Sequence, residues 1–79
     1  MEPALNLEYI IKRRQAMEEL IERILNQYYD WNRPEINDLQ ILEESLDLGI
    51  MCIRWRDGNR TVTVKSILQD SKLLLTELR

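Results

Sequence analysis

The sequence predicts an α+β protein, one long helix packed on an antiparallel β-meander, with residues 1–79 forming a single small domain. Three observations carry this prediction. Apolar residues recur at helical spacing over 5–29. Two alternating runs, 50–56 and 60–68, flank a Gly-Asn turn. A third run, 72–78, follows the short polar turn Gln69-Asp70-Ser71.

The helix rests on Leu7, Ile10, Met17, Ile21, Ile24 and Tyr28, spaced by three, four or seven, with Ile11, Leu20 and Leu25 widening the stripe. Asn6 is the expected N-cap, and Glu8 in the first turn suits the helix dipole. Glu19 and Arg23 stand at i, i+4. The triplet Lys12-Arg13-Arg14 is read as a solvated face balanced by Glu8, Glu18 and Glu19. Asp30 to Pro34 has a loop composition and ends the helix near Tyr29. Tyr28, Tyr29 and Trp31 gather at this exit, where aromatic residues close a small core. Tyr29 and Trp31 are the candidate aromatic contacts for a partner.

Residues 35–46 admit two readings. Ile36, Leu39, Leu42 and Leu46 fit a helix beginning at Pro34, while Leu39 and Ile41 alternate with Gln40 as a strand over 36–42 would. Propensity leans to the helix.

Parity sets the register of the next two runs. A two-residue Gly58-Asn59 loop, with Gly first as a type II′ turn prefers, places Trp55 opposite Val62 and Ile53 opposite Val64. An Asp57-Gly58 loop shifts the register by two and keeps the same faces together, whereas a three-residue loop would put Arg54 against Val62 and bury a guanidinium. The other face then carries Arg54 opposite Thr63 and Arg56 opposite Thr61. Arg54, Arg56, Arg60 and Lys65 are grouped as a basic patch, the candidate contact for a protein partner or DNA. For 72–78, Leu73 and Leu75 suit a returning strand, although Ile67, Leu74, Leu75 and Leu78 also satisfy a helical face; the short turn favours the hairpin.

Composition narrows the chemistry. With no histidine, Ser-His-Asp, Cys-His and histidine-metal sites are excluded. One cysteine builds neither an intramolecular disulfide nor a thiolate cage, and two glycines do not make a phosphate-cradling loop. The expectation is therefore a protein that is not an enzyme and takes no cofactor. A net charge of −3 gives no global attraction to nucleic acid or anionic lipid. No apolar run is long enough to span a membrane, and Met1 to Tyr9 lacks the pattern of a signal peptide. These features, with the lone Cys52, predict a cytoplasmic location. At 79 residues some apolar surface stays uncovered, so a protein partner or self-association is expected ahead of nucleic acid.

The order of features resembles the element-excision controlling factors of the XisI type, known from cyanobacteria. The resemblance is carried by the amphipathic segment Ile21-Glu-Arg-Ile-Leu-Asn-Gln-Tyr28, the loop Arg33-Pro34-Glu35-Ile36 and the run from Ile50 to Arg60 that ends Trp55-Arg56-Asp57-Gly58-Asn59-Arg60. Asp70-Ser71-Lys72 completes it, so it covers about residues 20–78. The strand after Arg60 is shorter than the family's, and the family's acidic segment and C-terminal helical half are missing. The resemblance implies an α+β fold, a strand at 36–42, and a regulatory, non-catalytic role assisting a site-specific recombinase. It implies no catalytic residues.

Overall fold

The computed structural model describes residues 7–79. The elements run α1 (Leu7–Tyr28), β1 (Asn37–Ser45), a single 3-10 turn (Leu46–Leu48), β2 (Ile50–Asp57), β3 (Arg60–Gln69) and β4 (Lys72–Leu78). The four strands form one antiparallel sheet in the order β1-β2-β3-β4, and α1 packs across one face. This is the expected α+β arrangement. The expected cap at Asn6 and the helix start at 5 lie outside the described residues.

The core follows from parity. Met51, Ile53 and Trp55 on β2, Val62 and Val64 on β3, and Leu73 on β4 meet Leu20, Ile24 and Leu25 on α1, all buried. Trp55 pairs with Val62 and Ile53 with Val64, the register of the Gly58-Asn59 loop rather than the Asp57-Gly58 loop. Gly58 has φ +64° while Asn59 stays at negative φ, the pattern of a type II′ turn. Asp70 and Ser71 both adopt positive φ between Gln69 and Lys72, so β3 and β4 join through a second two-residue hairpin. That settles 72–78 as a strand. Ser66 is fully buried among the core side chains, and its hydroxyl donates to the Met51 carbonyl at 3.1 Å, which meets its hydrogen-bonding demand.

The 35–46 region is a strand, longer than the expected 36–42 and displaced toward Ser45. It pairs with β2 through two register shifts, one between Asn37 and Gln40 and one between Ile41 and Glu43. Each inserts an extra residue, and Asp38 takes φ +57° at the first.

α1 ends in a Schellman arrangement. Trp31 N–H bonds the Asn26 carbonyl at 2.7 Å and Asp30 N–H bonds that of Gln27 at 3.2 Å, with Asp30 at φ 53°. Two side chains then tie the helix to opposite edges of the sheet. Gln27 Nε2 donates to the Leu73 carbonyl at 2.6 Å, and Arg13 donates to both oxygens of Glu44 at 2.6 and 2.8 Å. The triplet 12–14 is thus not uniformly solvated. Lys12 keeps an exposed pair with Glu8, whereas Arg13 makes a bidentate link between α1 and β1. The hydrogen bond to Glu44, reinforced by its charge, raises the Arg13 pKa further above physiological pH. Arg23 reaches the Ser71 carbonyl at 3.4 Å instead of pairing with Glu19.

Candidate functional site

Because α1 covers one face of the sheet, the opposite face is open, and its side chains fall into cross-strand rows. At the hairpin end, Asn37, Arg56 and Thr61 form one row, and Gln40, Arg54, Thr63 and Leu78 the next. Then come Glu43, Cys52, Lys65 and Thr76, and finally Ser45, Ile50, Ile67 and Leu74. The face is therefore graded, with Arg54, Arg56, Thr61 and Thr63 at one end, bordered on β4 by the exposed Leu78, and Ile50, Ile67 and Leu74 at the other. Ile67 and Leu74 remain 38% and 51% exposed.

Within this face Arg54 donates to Gln40 Oε1 at 2.8 Å, an exposed bond that leaves most of the guanidinium available. Arg56 is exposed. Lys65 stands 3.9 Å from Glu43, an exposed pair that spans Cys52 and leaves the thiol buried despite its place on the open side. The pair is loose and adds little stability, but it offsets the positive field that Lys65 would lend its neighbours.

Arg60 does not belong to this group. It shares the parity of Val62 and Val64, so it lies on the helix side of the sheet, where Nη2 donates to Tyr28 Oη and Glu77 Oε2, each at 3.1 Å. The period of two that sorted Val62 from Thr61 applies equally to Arg60. The four-cation patch is thus three residues on one face, with Arg60 on the other.

The two candidate aromatic contacts also separate. Tyr29 is part of the core's edge. Trp55 Nε1 donates to Tyr29 Oη at 2.9 Å, and Tyr29 donates onward to Asp57 Oδ2 at 2.8 Å. Tyr28 packs edge-on against Trp55 with centroids 5.3 Å apart and donates to Glu77 at 2.9 Å. Trp31 takes no part in this cluster. The positive φ values at Asp30 and Trp31 turn the chain away from the core and leave the indole 78% exposed. Of the two candidate aromatic residues, Trp31 is the one whose ring is open to a partner.

Burial raises the pKa of both Tyr28 and Tyr29, with their carboxylate partners Glu77 and Asp57 acting in the same direction; Arg60 opposes the shift at Tyr28 and the Trp55 bond opposes it at Tyr29. A folded-state pKa above the unfolded value of about 10 means that the folded state holds the phenol protons more tightly. The resulting stabilisation is full below that pH and is lost as pH rises through the folded values. Alkaline titration should show tyrosinate absorbance from these two residues appearing later in the folded protein than in urea. Thermal stability should fall over the same interval. Coincident titration in both states would contradict the network.

A second feature appears on the helix side, where sequence periodicity alone gave no sign of it. α1 lies over β2 to β4 more closely than over β1, leaving a groove of about 540 Å3 lined by Ile10, Arg14, Met17, Glu18, Ile21, Leu39 and Ile41. Leu39 and Ile41 face the helix yet remain 41% and 42% exposed. Their alternation with Gln40 was the available signal for that orientation.

Among the described residues no helix is long and apolar enough to cross a membrane, and no three His, Cys, Asp or Glu side chains assemble as a metal-holding group. No family model, curated protein or solved structure matches the chain.

Proposed function

We propose that this chain is a small non-catalytic interaction protein that binds a protein partner through the open face of its sheet. The observation that carries the reading is the gradation across that face. Arg54 and Arg56 stand beside Thr61 and Thr63 at one end, and Ile50, Ile67 and Leu74 align at the other. A complementary partner presents carboxylates and aliphatic side chains on one surface, so that charge sets orientation and apolar burial supplies affinity. The segments that resemble excision controlling factors, Ile21–Tyr28 and Ile50–Arg60, support a regulatory role beside a site-specific recombinase. β2, which carries Arg54 and Arg56, and the β2–β3 turn lie in the second of these segments.

Duplex DNA at the same face is the alternative. Arg54 and Arg56 are exposed guanidiniums on a strand ribbon, the chemistry needed to meet phosphates. With Arg60 on the other side and Lys65 near Glu43, about two phosphate contacts are available, which sets a salt slope of only about −2 on logarithmic axes.

The two readings separate by fluorescence anisotropy with a labelled peptide in which a block of glutamates is followed by a block of leucines, matching the gradation of the face, and a labelled duplex. The proposal expects saturable peptide binding that Arg54→Glu/Arg56→Glu weakens at least about tenfold, while stability changes by no more than ~0.5 kcal/mol. Duplex binding with a salt slope of about −2 and no peptide binding would reverse the assignment.

A further inference from the structure

The α1/β1 groove points to an occupant of its own. We propose that a second copy of this chain fills it, pairing α1 against α1 in antiparallel fashion about a two-fold axis, with Arg14 of each copy set against Glu18 of the other. The open sheet face plays no part in this pairing.

Three observations lead there. The first is uncovered apolar area that runs continuously from the groove onto the helix. Residues 7–12 are exposed throughout, with Leu7 at 67%, Ile10 at 50% and Ile11 at 54%, and Leu39 and Ile41 form the wall opposite. Leu7, Ile10, Arg14 and Ile21 share a stripe on one flank of α1, spaced by three, four and seven. The opening turns of an isolated helix are marginal in water unless something packs on them.

The second is charge. Arg14 and Glu18 are the charged residues lining the groove, and neither forms an ion pair with another described residue. Their neighbours on the helix are already engaged, Lys12 with Glu8 and Arg13 with Glu44. A surface bearing one cation and one anion is self-complementary under a two-fold axis, which brings each against its opposite twice. A partner of single charge would leave one of the two unmatched.

The third is geometry. Arg14 and Glu18 are about one helical turn apart, so a copy running antiparallel about a point between them places both cross-pairs at the same height. Ile10 and Ile11 of each copy then reach the level of Ile21 of the other, with Met17 near the axis. The edge of β1 itself is poorly suited to strand addition, since two bulges interrupt it.

The test is sedimentation velocity on the full chain and on Arg14→Glu and Glu18→Arg, alone and mixed in equal amounts. Wild type should sediment as a dimer at micromolar concentration. Each single reversal puts like charges together at both symmetry-related contacts and should weaken the dimer at least about tenfold. The mixture should restore it, because one variant then presents two carboxylates at these positions and the other two guanidiniums. Recovery on mixing cannot arise within a chain, since each variant keeps its own like-charged i, i+4 pair. Far-UV circular dichroism confirms that both variants are folded. A monomer at every concentration overturns the proposal. So does a dimer indifferent to either reversal, as pairing along β4 would give, or a mixture that stays monomeric.

Discussion

Replacing Trp55 with alanine should remove about 3–5 kcal/mol of stability, the range for losing a fully buried aromatic side chain. The indole is completely buried, packs edge-on against Tyr28 and supplies the donor that orients the Tyr29 hydroxyl. A 79-residue domain has about 4–12 kcal/mol in total, so the loss consumes a large share of it. The melting temperature should fall by roughly 15–30 °C. Trp55→Phe keeps most of the packing but leaves Tyr29 without its donor, and should cost about 1–2 kcal/mol. Urea denaturation of both variants checks the ordering. Equal losses would mean that the packing retained by phenylalanine contributes nothing.

Gly49→Ala should be nearly as damaging for a different reason. Gly49 sits at φ +70° between the 3-10 turn and β2, where a side chain is strained by about 1–2 kcal/mol. Its added Cβ would also lie 2.6 Å from the Leu68 carbonyl oxygen, a backbone atom held in place because the same residue's N–H donates to the Gly49 carbonyl at 2.7 Å. Relieving that contact requires β2 and β3 to separate, so a total of about 2–4 kcal/mol is expected. Gly58→Ala is the control. Gly58 has a similar φ of +64° but open space where its Cβ would point, so it should lose only about 1–2 kcal/mol. If the two substitutions cost the same, the close approach at Leu68 carries no energy.

These two positions also show what the chain discloses in advance. That Trp55, Ile53, Val62 and Val64 share a face was legible because alternation has a period of two, while the pairing of Trp55 with Val62 came from the loop at Gly58-Asn59 rather than Asp57-Gly58. β1 was not, because its two bulges stretch a period of two toward three, and Ile36, Leu39 and Leu42 then imitate a helix. The resemblance to excision controlling factors favoured the strand where propensity leaned to the helix. The helix itself was legible, but periodicity does not say where its covering sheet stops. Leu7, Ile10 and Ile11 therefore looked like core and are exposed. Gly49 carried no local signal, since its role depends on Leu68, nineteen residues later in the chain.

The candidate site was half legible. Arg54, Arg56 and Lys65 fall on one face by parity, and the structure brings them together. Arg60 was grouped with them by proximity in sequence, against the same parity rule, and lies on the helix side with Tyr28 and Glu77. The gradation from arginine to aliphatic rows could not be read at all without the β3–β4 register, which aligns Ile67 with Leu74.

The most direct measurement is amide chemical-shift mapping of the full chain titrated with the glutamate-leucine peptide. Saturable shifts are expected at Arg54, Arg56, Thr61, Thr63, Ile67 and Leu74, with Leu20, Ile24 and Leu25 unmoved. Shifts concentrated on α1, or none that saturate, would contradict the assignment of the open sheet face as the binding surface.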